Sequence, residues 1–147
     1  MGNLNLFSKK NNLNRIEKAI IFKNNARQQI SSDMKIFLYI SALESFFNTS
    51  KNEITYQVSQ RCALLLSNQY EERLQIQKII KDAYDVRSHV VHGATYKSKK
   101  YSDESLKMMS SKLDEYIRVL LNEKRDLFEK NDEELTHFFN KLILNNN

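Results

Sequence analysis

A chain of 147 residues with no proline and only two glycines, Gly2 and Gly93, has almost none of the turn punctuation that a β-sheet requires. Tight hairpins call for residues that accept a positive φ, whereas helices can be joined by ordinary polar connections. The chain is therefore expected to be all-α, a single-domain bundle of five or six helices. Its length suits one domain with one core, and a hydrophobic content of 41% can fill that core.

Apolar residues recurring at steps of three and four place the helices. Residues 1–12 are polar and read as a loose lead-in, and one helical domain occupies 13–147. A first helix is expected from Leu13 to Ile30, with Ile16, Ala19, Ile20, Ala26 and Ile30 on one stripe. Ser31, Ser32 and Asp33 are N-cap candidates for a second helix reaching Asn48. Its wide apolar face of Ile36, Phe37, Ile40, Leu43, Phe46 and Phe47 belongs at the centre of the bundle. Ser50 and Glu53 have capping-box spacing ahead of a third helix, Glu53 to Ser67. The fourth begins near Tyr70 and ends near His92, because Gly93 suits the residue just past a helix end. Ser102, Asp103 and Glu104 open a fifth helix with acid at its N-terminus, as the macrodipole prefers, and a last helix runs from about Asp132 to Leu144.

Charge and cysteine usage narrow the partners. A net charge of +5 points mildly to an anionic partner such as nucleic acid, since solvated lysines are common in any case. Cys62, the single cysteine, lies in the apolar run Cys62-Ala63-Leu64-Leu65-Leu66 and reads as a buried, inert thiol. Disulfides and thiolate metal sites are thereby excluded, which implies a reducing, cytoplasmic setting. No apolar run approaches the ~20 residues of a membrane span, so no membrane partner is expected.

Two charged residues interrupt this apolar pattern. Glu44 falls on the apolar face of the second helix, and Arg87 continues the stripe Ile76, Ile80, Ala83 of the fourth. A charge on a core-facing stripe requires a partner. Five positions after Arg87 comes His92, and the two residues together can hold a phosphate and move a proton. The planar guanidinium fork grips phosphoryl oxygens and offsets their growing charge. An imidazole with an ordinary pKa near ~6.5 can exchange a proton with a 2′-hydroxyl or a leaving 5′-oxygen. The other reading is structural: Arg87 pairs with Glu44, and His92 only ends a helix. On a regular helix Arg87 and His92 would lie ~140° apart, so one copy alone brings them together poorly.

The blocks Ala42-Leu43-Glu44, Ile54-Thr55-Tyr56-Gln57-Val58 with Arg61-Cys62-Ala63, and Tyr84-x2-Arg87-Ser88-x2-Val91-His92-Gly93 resemble the Apea-like branch of the HEPN superfamily, over roughly residues 33–93. The resemblance implies a helical bundle that dimerises with two Arg-x4–6-His motifs lining one cleft, acting as a metal-independent ribonuclease. It also implies toxin–antitoxin or antiviral defence settings, often with a regulatory or sensor protein partner. Arg87 and His92 would be catalytic, Ser88 accessory, and Glu44 would orient Arg87. The superfamily also contains non-catalytic members, so an adaptor or dimerisation module that binds a protein or a nucleotide is the alternative.

The remaining candidates are secondary. His89 and His92 stand three apart, yet only Asp82 and Asp85 lie within reach as further ligands, so neither a metal nor any other cofactor is expected. His89 reads as a solvated surface histidine before an RNA contact, and His137 reads as surface. Lys97, Lys99 and Lys100, with Tyr96 and Tyr101, form a basic, aromatic-flanked segment that could follow a phosphate backbone, or be a solvated loop. Its proximity to Arg87 and His92 favours RNA.

Overall fold

The computed structural model describes residues 12–91 and 100–145. Among the described residues the elements are helical and none is a strand. They are α1 (Arg15–Arg27), α2 (Ser32–Phe47), α3 (Ile54–Leu66), α4 (Tyr70–Val91), α5 (Asp103–Glu123) and α6 (Asp132–Asn145), with a 3-10 helix, Arg125–Glu129, between the last two. The all-α class read from turn chemistry holds. The expected lead-in, residues 1–12, lies outside the described residues except for Asn12, and Gly93 lies outside them too.

α2 is the central element because it is apolar nearly all round. Tyr39, Ile40, Ala42, Leu43, Phe46 and Phe47 are buried on it, and it packs against α1, α3, α4 and α5. Its C-terminal end meets an aromatic cluster. The Phe46 ring lies 4.4 Å from that of Phe128, and Phe47 lies 6.0 Å from Phe139. Phe128 comes from the 3-10 turn, which periodicity over three or four residues could not reveal.

The helix starts show where local signals prevailed. Asn14 and Glu17 form a reciprocal capping box on α1, so the helix begins two residues later than its apolar pattern suggested. Ser102 caps α5 through Ser105 N–H, and Asn131 accepts from Glu134 N–H ahead of α6. Two expectations are corrected. α1 stops at Arg27, which leaves Ile30 fully exposed in the connection and not on a buried stripe. The Ser50–Glu53 box does not form. α3 starts at Ile54, which makes Glu53 the cap residue, in left-handed backbone with φ 53°, and puts Ser50 too far back. Ser50 Oγ instead accepts from Asn52 N–H at 3.1 Å, closing the local turn. Among the described residues, no helix is long and apolar enough to cross a membrane.

Candidate functional site

The helix pair α2–α4 brings Glu44 and Arg87, 43 residues apart, into contact. Arg87 Nη1 donates to Glu44 Oε1 at 2.5 Å, and Tyr84 Oη donates to the same oxygen at 2.9 Å. The guanidinium also stacks 5.1 Å from the Phe37 ring centroid. Burial, then the adjacent Glu44 carboxylate, pushes the Tyr84 phenol well above its usual range, so Tyr84 acts there as a neutral donor.

The placement of Arg87 corrects the periodicity reading. The buried run of α4 is Ile76, Ile80, Ala83 and then Val86, not Arg87. A step of three from Ala83 puts the apolar valine inside. Arg87, ~100° further round, sits at the edge of the stripe. Its side chain is 24% exposed and that of Glu44 is 20% exposed. A charged pair can satisfy its hydrogen bonds at such an edge without full desolvation. Only one guanidinium nitrogen of Arg87 is used by Glu44. Nε and Nη2 hydrogen-bond to no other described residue and remain available as donors.

Arg87 lines a cleft of about 810 Å³. Arg15 and Lys18 of α1, Ser41, Ser45 and Asn48 around α2, and Lys130 before α6 also line it. Arg15 closes one end. It pairs with Asp132 and donates to the carbonyl oxygens of Asn48, at 2.8 Å, and Phe46, at 3.4 Å. From the other side Arg61, only 7% exposed, donates to Phe47 O at 2.8 Å and to Thr49 Oγ1 at 2.9 Å. The two arginines thus satisfy carbonyls that a helix C-terminus leaves without partners. The side-chain Oδ1 of Asn48 is buried in the wall and has no hydrogen-bond donor among the described residues. Leaving an acceptor in that state costs about 1–3 kcal/mol.

The basic residues of the cleft were missed by sequence reading. Arg15 and Lys18 look like ordinary exposed positions of a weakly amphipathic helix. Lys130 falls in a connection without periodicity. Their juxtaposition exists only once α1 and the 3-10 turn pack on the end of α2.

Other expected site residues lie elsewhere on α4. His89 Nδ1 hydrogen-bonds to Asp85 O at 2.7 Å, one turn back on the same helix. A carbonyl only accepts, so that nitrogen carries the proton. His89 and Asp85 stand ~160° from Arg87 round the helix and therefore on its far side. Lys100 pairs there with Asp85 at 2.9 Å, and Tyr101 Oη donates to Asp85 at 3.2 Å and Asp82 at 3.3 Å. Lys100 first, with help from Tyr101 and His89, holds the Asp85 carboxyl below its usual range. Ser88 is exposed on α4, and His137 is exposed on α6. His92, Tyr96, Lys97 and Lys99 lie outside the described residues. Cys62 is fully buried, and burial raises its thiol far above the reactive range, as its apolar surroundings in sequence implied. Among the described residues, no group of three or more His, Cys, Asp or Glu side chains is arranged to hold a metal ion.

No family model, curated protein or solved structure matches the chain.

Proposed function

We propose that this chain is a metal-independent RNA endonuclease of the HEPN type, acting as a homodimer in a toxin or antiviral defence role. The observation that supports it best is Arg87: fixed by a single carboxylate contact, stacked on Phe37 and lining a polar cleft. Arg61 also leaves donors unused but is buried at 7% exposure, whereas Arg87 lines the open cleft. This one is positioned, and most of its donors remain for a ligand.

In the proposed reaction Arg87 holds the scissile phosphate and offsets charge on its non-bridging oxygens. The 2′-hydroxyl of the preceding ribose loses its proton and attacks phosphorus. The bond to the 5′-oxygen breaks and that oxygen takes up a proton, leaving a 2′,3′-cyclic phosphate and a 5′-hydroxyl. His92 exchanges one of these protons, and the second motif of the dimer offers a symmetric partner for the other. Glu44 acts as a positioning residue through Arg87, and Tyr84 holds Glu44.

The test is incubation of the purified protein with total RNA, followed by end-group analysis, beside Arg87→Ala and His92→Ala. Cleavage to cyclic-phosphate ends is expected, unaffected by EDTA and abolished in both variants. Cleavage that survives His92→Ala would refute the mechanism. The short Arg87–Glu44 pair also favours a second reading, a non-catalytic adaptor that binds a protein or nucleotide partner. Overexpression separates the two: a nuclease arrests growth and its Arg87→Ala, His92→Ala double variant does not, whereas an adaptor gives no such difference.

A further inference from the structure

We infer that the cleft beside Arg87 is the subsite for one nucleotide of a single-stranded RNA, the nucleotide adjoining the phosphate that Arg87 grips. The inference rests on the reading of Arg87 given above and adds the residues that hold the flanking nucleotide. The cleft, at about 810 Å³, has the size of a small-ligand site. It carries four cationic side chains, Arg15, Lys18, Arg87 and Lys130, against three carboxylates, Glu44, Glu129 and Asp132. Two of the carboxylates are already engaged, Glu44 by Arg87 and Asp132 by Arg15.

Lys18 and Lys130 differ from the arginines. Neither ammonium has an ion pair or hydrogen bond with a described residue, and both side chains lie on exposed residues at the edge of the cleft. Ammonium groups so placed suit the phosphates on either side of a nucleotide. Leu13 and Phe22, partly exposed on the same cleft, supply an apolar surface for the face of a base. Asn48 Oδ1 supplies what no phosphate can use: a buried acceptor with no donor among the described residues. The oxygen is sealed from solvent in this structure, and a turn of the Asn48 side chain toward the cleft it lines would offer it to a base amino group. Cation, apolar wall and lone acceptor together match a nucleotide with an amino-bearing base, and a bare phosphate would leave the last two unused.

The experiment uses the full chain and a short fluorescein-labelled oligo(A) carrying 2′-O-methyl groups, which cannot be cut by 2′-hydroxyl attack. Fluorescence anisotropy is followed over a salt series. Lys18→Ala with Lys130→Ala should weaken binding about tenfold or more and reduce the magnitude of the log–log salt slope by ~1.4, the share of two phosphate contacts to a single strand. Asn48→Leu should weaken binding to oligo(A) about fivefold, with no fall in Tm, because it removes an unsatisfied acceptor. Equal affinity and slope in the double lysine variant would overturn the subsite, as would an Asn48→Leu variant that binds as wild type. Free AMP competing as tightly as the oligonucleotide would overturn the assignment to RNA. Binding with these dependences but no cleavage of unmodified RNA supports the subsite and refutes the nuclease reading. Cleavage with unchanged KM in the lysine variant refutes the subsite alone.

Discussion

Glu44 is the residue on which the structure and the proposed chemistry can be tested together. Its Oε1 accepts from Arg87 at 2.5 Å and from Tyr84 at 2.9 Å, at an edge of the core where both charged side chains are less than a quarter exposed. A hydrogen bond to a charged group is worth about 1.5–3 kcal/mol, and a fully buried charge that loses its partner costs about 3–5 kcal/mol. The partial exposure of this pair places Glu44→Ala between the surface and buried limits, at roughly 2–3 kcal/mol of destabilisation. For a chain of this length that is a fall in Tm of about 4–12 °C, readable by circular dichroism. Removing both partners, as Glu44→Met with Arg87→Met, should recover most of the loss, because the remaining charge is no longer stranded. Cleavage should behave in the opposite way and be lost in the recovered double variant. The coupling energy of the cycle is expected to be at least ~1 kcal/mol. A Glu44→Ala variant that melts with the wild type would refute the pairing. A stable Met/Met variant that still cuts RNA would refute the role of Arg87.

Two further outcomes follow from groups outside the cleft. Asp114 of α5 accepts from Arg27 at 2.9 and 3.0 Å, from Tyr39 at 2.7 Å and from Arg118 at 2.9 Å. Burial opposes its ionisation, but hydrogen bonds led by Arg27 and Tyr39 win and hold its pKa well below the usual carboxylate range. A depressed folded-state pKa contributes stability that is fully present above the unfolded value, near ~3.9, and is lost as pH falls through the folded one. Asp114→Asn should therefore lower stability by about 2–3 kcal/mol at pH 7. In urea unfolding from pH 7 to 2 the gap between variant and wild type should narrow below the unfolded value, and parallel curves would refute the assignment. Arg61→Ala should cost about 3 kcal/mol, since it strands Phe47 O, takes one of two donors from Thr49 Oγ1 and uncovers the Phe139 face. Arg61→Lys should recover only part of this in thermal melts, because an ammonium lacks the flat guanidinium face that covers the Phe139 ring, and full recovery would disprove the stacking role.

The helices and the site differ in how far they were legible. α2 was readable because Ile36, Ile40, Leu43 and Phe47 repeat within single turns, and α5 because Ser102 and its acidic first turn announce a start. Glu44 and Arg87 stood out as charges against an apolar pattern, and their partnership was one of the two readings that pattern left open. The register of Arg87 was misjudged by one position, since valine and arginine compete for the interior through packing that α4 alone does not specify. The 3-10 turn and Phe128 were invisible, because a five-residue element has no periodicity to detect.

What the sequence determined by itself is therefore the set of elements whose causes lie within about one helical turn: propensity, caps, apolar stripes, and the near-absence of glycine and proline that rules out a sheet. Only the tertiary structure decided that Arg15, Asn48 and Lys130, distant along the chain, meet Arg87 around one cleft, and that Asp85, His89 and Lys100 turn to the far side of the same helix. Contacts of that kind depend on how α1 and the 3-10 turn dock on α2. Docking is set by the summed fit of many side chains, and no local stretch of sequence encodes it.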